Sequence, residues 1–178
     1  MRTSLHTFDR RLTALVQHWS NWVRPIMLLA TLIGQPIFTV GTGALVAGIG
    51  WGASNGGLFV SGIIAMATFT LGTLAKLYFR RDRPVTEYVA RMRFDTYSMP
   101  SGHAAGAAAS YGLLTYLFCQ MMLAPWSYLL AGSVTVAVIL IGVSRIYLGA
   151  HYPSDVLAGW LLGLIGLASI ILIVQPQL

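Results

Sequence analysis

Long apolar runs separated by short polar links dominate this chain. Three stretches of useful length contain no Lys, Arg, Asp or Glu: Pro25 to Ala75, Ala104 to Ser144, and Val156 to Leu178. A bilayer core of ~30 Å is crossed by about 20 helical residues, so the first two stretches must each fold back once. The breakers Gly52 to Gly57 (GASNGG) and Ala124 to Ser127 (APWS) mark where they turn. Five spans are predicted, near 26–50, 57–77, 103–123, 127–147 and 155–175, in an all-α, polytopic membrane helix bundle.

The first 24 residues follow another pattern. Leu5, Phe8, Leu12, Leu15, Val16, Trp19, Trp22 and Val23 recur at helical spacing against Arg2, Arg10, Arg11, Gln17 and Asn21. That is the pattern of an amphipathic helix lying in the membrane interface or packed on the ends of the bundle. It lacks the apolar core of a cleavable signal, so the helix is expected to stay on the protein. The domain division is therefore 1–24 for this helix and 25–178 for a single membrane domain.

Composition agrees with the pattern: 56% of residues are hydrophobic and 9% charged, against roughly 25% charged in soluble domains. The net charge of +6 does not imply nucleic acid, because the basic residues interrupt apolar spans and form no soluble basic face. Anionic headgroups or a phosphorylated substrate fit better. The single cysteine, Cys119, excludes an intrachain disulfide and a multi-cysteine metal site. His6, His18, His103 and His151 are scattered without zinc-ligand spacing, and no metal or other cofactor is called for.

Counting crossings gathers the charges. If residues 1–25 lie on one side, the chain returns to that side at 78–102 and again at 146–154. Every charged residue then falls on that face or its edge, and the opposite loops 51–56 and 124–126 carry none.

Three constellations meet there. In KLYFRRDRP, Lys76 ends a span and Arg83-Pro84 follows seven residues later; cations held close together call for an anion, and phosphate matches Arg's fork and Lys's point charge. A basic flank anchored in headgroups is the plainer reading, and Arg80 and Arg81 are taken as such flanks. In MPSGH, Met99 to His103, Ser101 is a helix N-cap, Gly102 lets a ligand approach the backbone, and the free amides make an anion site beside His103. In SRIYLGAHYPSD, His151 stands four residues before Asp155, whose carboxylate can orient the imidazole, and Arg145 adds a further phosphate ligand. An ion pair tying a loop to a helix start explains His151 and Asp155 but not Arg145.

Together these parts describe phosphoryl transfer by covalent catalysis. His151 attacks phosphorus, His103 protonates the leaving oxygen and later helps activate water, and Asp155 orients His151. Lys76, Arg83, Ser101, Gly102 and Arg145 bind the nonbridging oxygens, a donor set large enough to replace a metal ion. His151 is placed in a surface link, where its removal is expected to leave the fold intact.

The same residues resemble a known family. KLYFRRDRP, PSGH and SRIYLGAHYPSD are similar to the three signature motifs of the type 2 phosphatidic acid phosphatase superfamily, with Lys76, Arg83, Pro84, Pro100, Ser101, Gly102, His103, Ser144, Arg145, His151 and Asp155 all matching. The resemblance runs from about Lys76 to the C-terminus. It implies a metal-independent phosphatase with His151 as nucleophile, His103 as general acid and a multi-pass place in the bacterial inner membrane. Many bacterial membrane members have six spans, and the first is expected to be missing here. The resemblance also implies an extracytoplasmic active site, whereas eleven Lys and Arg on one face point that face to the cytoplasm.

Lipid phosphates are the expected substrates: undecaprenyl diphosphate first, then phosphatidylglycerol phosphate or phosphatidic acid, entering sideways from the bilayer. Val85 to Met99, with Tyr88, Arg91, Arg93 and Phe94, is expected to cover or border the cleft. A lipid-phosphate binding or transport protein would need the cations but not His103, His151 and Asp155. A vanadate-dependent peroxidase would share the motifs but suits a lipid-embedded site less well.

Overall fold

The computed structural model describes residues 2–92 and 96–174, with side chains described from Leu5 onward. Arg93 and Phe94 of the expected cover, and the end of the last expected span, lie outside the described residues. The elements are α1 (Arg2–Gln17), a 3₁₀ turn (Asn21–Val23), α2 (Arg24–Ile33), α3 (Pro36–Gly52), α4 (Gly56–Phe79), a single turn α5 (Glu87–Ala90), α6 (Gly102–Met121), α7 (Trp126–Tyr147) and α8 (Pro153–Val174). Both expected breakers are the observed turns. At the first, Asn55 caps α4 by accepting from the Leu58 amide at 2.9 Å.

Among the described residues, four segments are long and apolar enough to span a membrane: 21–52, Gly56–Phe79, Trp126–Tyr147 and Pro153–Val174. The remaining expected span, α6, is 20 residues long, but its first half is rich in Ala and Gly and it sits at the centre of the bundle against α3, α4, α7 and α8. A helix surrounded by helices needs small side chains for close approach more than it needs apolarity toward lipid. The first span differs from expectation as well, being interrupted between Ile33 and Pro36. Pro36 has no amide to donate, so the helix restarts there with Pro in its first turn.

The core is rich in alanine, with Leu113, Ile141 and Ile170 among its larger buried side chains. Gly159 and Gly163 of α8 lie against α6, where a Cβ at Gly159 would fall 2.5 Å from the Ser101 carbonyl oxygen and one at Gly163 2.5 Å from the Ala108 Cβ. Only glycine lets these two helices approach so closely, and both start on the same membrane face. Larger side chains such as Leu45, Leu71, Leu129, Leu161 and Leu172 point outward, as expected where the solvent is hydrocarbon.

The N-terminal helix α1 packs on the ends of α7 and α8. Asp9 is buried and Val16 joins the Ala104, Ile146 and Val156 cluster, while Leu5, Phe8, Leu15 and Trp19 stay exposed. One edge of the helix is thus seated on protein and the adjoining apolar stripe is open.

Candidate functional site

The three motif segments converge on one end of the bundle. The αL residue Arg80 (φ 45°) caps α4 and turns the chain back over the helix end. Arg80 itself is exposed, donating from Nε to the Leu77 carbonyl at 3.0 Å, which fits a flank. Arg81 does not. Its Nη1 donates to Asp155 Oδ1 at 2.8 Å and to Ser154 Oγ at 2.6 Å, and its Nη2 donates to Asp9 Oδ2 at 2.6 Å. The expectation that Arg81 is a headgroup anchor is corrected: two buried carboxylates turn it inward.

Arg83 follows and reaches the third segment. It donates to the Ala150 carbonyl at 2.9 Å, stands 3.2 Å from His151 Nε2 through Nη1, and is braced by the Thr96 carbonyl at 2.7 Å and hydroxyl at 2.9 Å. Thr96 lies in the segment expected to border the cleft. Lys76, on the last turn of α4, is half-buried and within electrostatic reach of Arg83, Arg145 and Asp155.

Ser101 occupies the N-cap position of α6 but its hydroxyl caps nothing. Its Oγ is buried and has no hydrogen-bond partner among the described residues, and its amide donates to the Asp155 carbonyl at 2.9 Å. A buried hydroxyl without a partner costs stability, and an anion's oxygen would satisfy it. The missing side chain of Gly102 is used for packing: a Cβ there would meet the Phe69 ring at 3.2 Å. His103 is only partly buried and lies within electrostatic reach of Arg145, His151, Lys76 and Arg83.

Arg145 is 2% exposed, deeper than its sequence position indicates. Its Nη1 bonds the Thr31 hydroxyl and donates to Tyr88 OH at 3.1 Å, its guanidinium lies 5.4 Å from the Tyr88 ring centre, and its Nε has no partner among the described residues. His151 is also buried, at 2% exposed, which corrects its placement in a surface link. The five residues joining α7 to α8 fold inward: the Ala150 and His151 amides both bond the Arg145 carbonyl, and Gly149, with φ +71°, makes the turn that only glycine adopts readily.

Asp155, in the first turn of α8, is fully buried and used at every oxygen. Oδ2 accepts from the Tyr152 amide at 2.8 Å and faces His151 Nδ1 at 3.6 Å; Oδ1 takes Arg81. With Nδ1 turned to the carboxylate, Nε2 faces the cations. Burial first, and then the nearby Arg145 and Arg83, lower the His151 pKa to about 4 against the opposing pull of Asp155. The ring is neutral at pH 7, and its Nε2 electron pair faces Arg83 Nη1.

A cavity of about 430 Å³ opens beside Lys76 and Arg83, lined also by Asp82, Thr96, Tyr97 and the Thr73, Leu74 and Leu77 face of α4. A larger one of about 530 Å³ between α6, α7 and α8 contains no ionisable side chain but Tyr116, and is remote from this chemistry. Sequence reasoning missed Arg81, Asp9, Thr31, Thr96 and Ser154. Only Asp9 gave a signal, as the one carboxylate in α1.

These features define a multi-pass membrane protein with a buried histidine–carboxylate pair set among cations that suit an anion. Its relatives specify the class further. The sequence model of the PAP2 superfamily matches residues 56–178, and the chain belongs to that superfamily. It is 29% identical to phosphatidylglycerophosphatase B of Bacillus subtilis over 155 residues, 81% of this chain and 71% of that one. It is 34% identical to an undecaprenyl-diphosphatase of Sulfolobus acidocaldarius over 110 residues, 60% of this chain but only 48% of that protein. In three dimensions it resembles the PAP2-type phosphatidylglycerolphosphate phosphatase of Bacillus subtilis, with TM-score 0.79, 23% identity, and 94% and 84% of the two chains covered. Aquifex aeolicus LpxE has the same fold at TM-score 0.65 and 18% identity, with 90% and 93% covered.

Proposed function

We propose that the protein is a membrane lipid phosphatase that works through a phosphohistidine, with His151 Nε2 as nucleophile. The observation that carries this reading is the setting of His151: neutral by burial, with Nδ1 toward Asp155 and Nε2 toward Arg83. Nε2 attacks the terminal phosphorus and the bond from that phosphorus to the leaving oxygen breaks, the bridging oxygen of a diphosphate or the ester oxygen of a phosphomonoester. His103 gives its proton to that oxygen, then takes one from the water that attacks the phosphohistidine, and phosphate leaves with His151 restored. Lys76, Arg83, Arg145, the Ser101 hydroxyl and the Gly102 amide take up the charge that shifts among the phosphoryl oxygens. This donor set does the work a metal ion does elsewhere, so the reaction is metal-independent.

The first substrate is a polyprenyl diphosphate, undecaprenyl diphosphate in a bacterial inner membrane. Three cations around one cleft suit a diphosphate's greater charge, and a relative of this chain carries the name of that activity. Phosphatidylglycerol phosphate is the second reading, favoured by the relative matched over most of both chains. The cavity beside Lys76 continues along the apolar face of α4, which lets a lipid phosphate arrive from the bilayer. We place the site on the extracytoplasmic side on the family resemblance, against the seven Lys and Arg that remain on this face once Lys76, Arg81, Arg83 and Arg145 are assigned to the site.

The test is phosphate release from both lipids in detergent micelles with EDTA, comparing wild type and His151→Ala. Release by wild type alone, blocked by vanadate, is expected. Activity lost to EDTA and restored by a divalent cation would overturn the metal-free mechanism. Folded protein that binds either lipid and releases nothing would favour a binding or transport role.

A further inference from the structure

We propose that Asp9, carried by the N-terminal helix, is a positioning residue of the active site: through Arg81 it holds the Asp155 carboxylate with Oδ2 toward His151. This rests on the phosphatase reading and adds to it a residue outside the three motif segments. Asp9 is 1% exposed and lies 145 residues from Ser154 in the chain, yet its Oδ1 accepts from the Ser154 amide at 2.9 Å and its Oδ2 from the Ser154 hydroxyl at 2.8 Å. A helix leaves its first amides without partners, and here one amide of α8 is satisfied by a side chain from another helix. The same Oδ2 takes Arg81 Nη2 at 2.6 Å.

Arg81 is the shared member. One nitrogen of its fork serves Asp9 and the other serves Asp155 Oδ1 at 2.8 Å and Ser154 Oγ, while its guanidinium stacks 4.3 Å from the centre of the Tyr152 ring. Burial opposes its charge, but the bonds to Asp9 and Asp155 more than restore it. With Asp9 in place, Arg81 gives Asp155 a single nitrogen, and Asp155 Oδ2 remains for the Tyr152 amide and His151. Without Asp9, both nitrogens are released to bind Asp155 side by side, the geometry guanidinium and carboxylate prefer. That arrangement turns the carboxylate and spends on Arg81 the charge that would steady His151.

The hydrogen bonds described for Asp9 go to Arg81 and Ser154, so phosphate binding by Lys76, Arg83 and Arg145 is separate from this positioning. Loss of Asp9 therefore lowers kcat and spares KM.

The experiment uses the full chain in detergent, with phosphate release from undecaprenyl diphosphate and phosphatidylglycerol phosphate and with vanadate inhibition as the measure of phosphate binding. Asp9→Asn is expected to lower kcat roughly 10- to 100-fold, the size seen when a group that orients a catalytic histidine is removed, with the vanadate constant unchanged. Asp9→Glu, keeping the charge, recovers part of the loss. Gln17→Ala removes the 3.4 Å bond from α1 to the Ile146 carbonyl without touching Arg81 and keeps kcat. The proposal is overturned if Asp9→Asn keeps kcat within twofold of wild type, if it weakens vanadate as much as it slows turnover, or if Gln17→Ala slows turnover equally. Should Asp9→Asn not fold, the Glu variant decides: a partial loss of kcat in folded Asp9→Glu protein, smaller than about 10-fold and with unchanged vanadate binding, supports positioning, and unchanged kcat with an altered circular-dichroism melt assigns Asp9 to stability alone and overturns it. Wild-type protein that releases no phosphate would overturn the phosphatase reading itself, a result distinct from each of these.

Discussion

His151 Nδ1 and Asp155 Oδ2 stand 3.6 Å apart, close enough for charge to be felt and too far for a hydrogen bond. Catalytic contacts of this kind are often long in the unliganded protein and tighten when substrate arrives. Asp155→Asn is expected to lower kcat roughly 10²- to 10⁴-fold with a much smaller change in KM, because it removes the charge that supports the imidazole at the moment phosphorus is attacked. Steady-state kinetics on the better of the two lipids checks this; a rise in KM at constant kcat would place Asp155 in binding.

The acid limb of kcat/KM is expected near pH 4, well below the ordinary histidine value of about 6.5, because burial and the adjoining cations hold the His151 pKa at about 4. The sign for stability follows from the same shift. An unfolded chain takes up a proton on His151 as pH falls through about 6.5, and the folded protein does so only near 4. This group therefore removes stability as pH drops across that window and removes no more below it. A rate profile from pH 3.5 to 8 with parallel melts at each pH reads both; a limb at 6.5 would mean that His151 is solvated in the working enzyme.

Tyr88 OH accepts from Arg145 Nη1 at 3.1 Å. Tyr88→Phe keeps the ring and loses the bond, worth about 0.5–1.5 kcal/mol. It is expected to weaken vanadate inhibition and raise KM roughly two- to tenfold with kcat nearly unchanged. A variant that loses kcat instead would put Tyr88 in contact with the reacting atoms.

The glycine seam between α6 and α8 predicts opposite outcomes for two similar changes. Gly163→Ala drives a methyl to 2.5 Å from Ala108 Cβ and 2.6 Å from the Ala105 carbonyl, and is expected to destabilise by about 1–3 kcal/mol. Gly48→Ala, on an exposed turn of α3 with nothing within 4 Å, is expected to be neutral or stabilising by up to about 1 kcal/mol. Melting temperatures in one detergent compare them directly.

Much of the architecture was legible because hydrocarbon imposes length and charge rules on each span separately. The turn at Asn55, the restart at Trp126 and the gathering of the three motif segments on one face all follow from counting apolar runs. What could not be read was decided by contacts between distant parts of the chain. Arg80 and Arg81 are identical neighbours in sequence, and only the αL turn at Arg80 and the buried Asp9, 72 residues away from Arg81, separate a surface flank from a buried ion pair. The burial of His151 depends on the fold of the Leu148 to Tyr152 link, and the support of Arg145 on Thr31, 114 residues distant. The interruption before Pro36 was visible in the residues themselves, but a run of apolar neighbours masked it.

Helices α6 and α8 begin on the same membrane face and run parallel through the seam of Gly159 and Gly163. Two helix macrodipoles thus end at one place, each equivalent to roughly half a positive charge at its start. That contribution belongs to the backbone: it does not titrate, and no side-chain substitution deletes it. Asp9 and Asp155 already occupy the start of α8, so variants stripped of Lys76 or Arg83 should still draw an anion to the start of α6, at any pH that leaves the bundle folded.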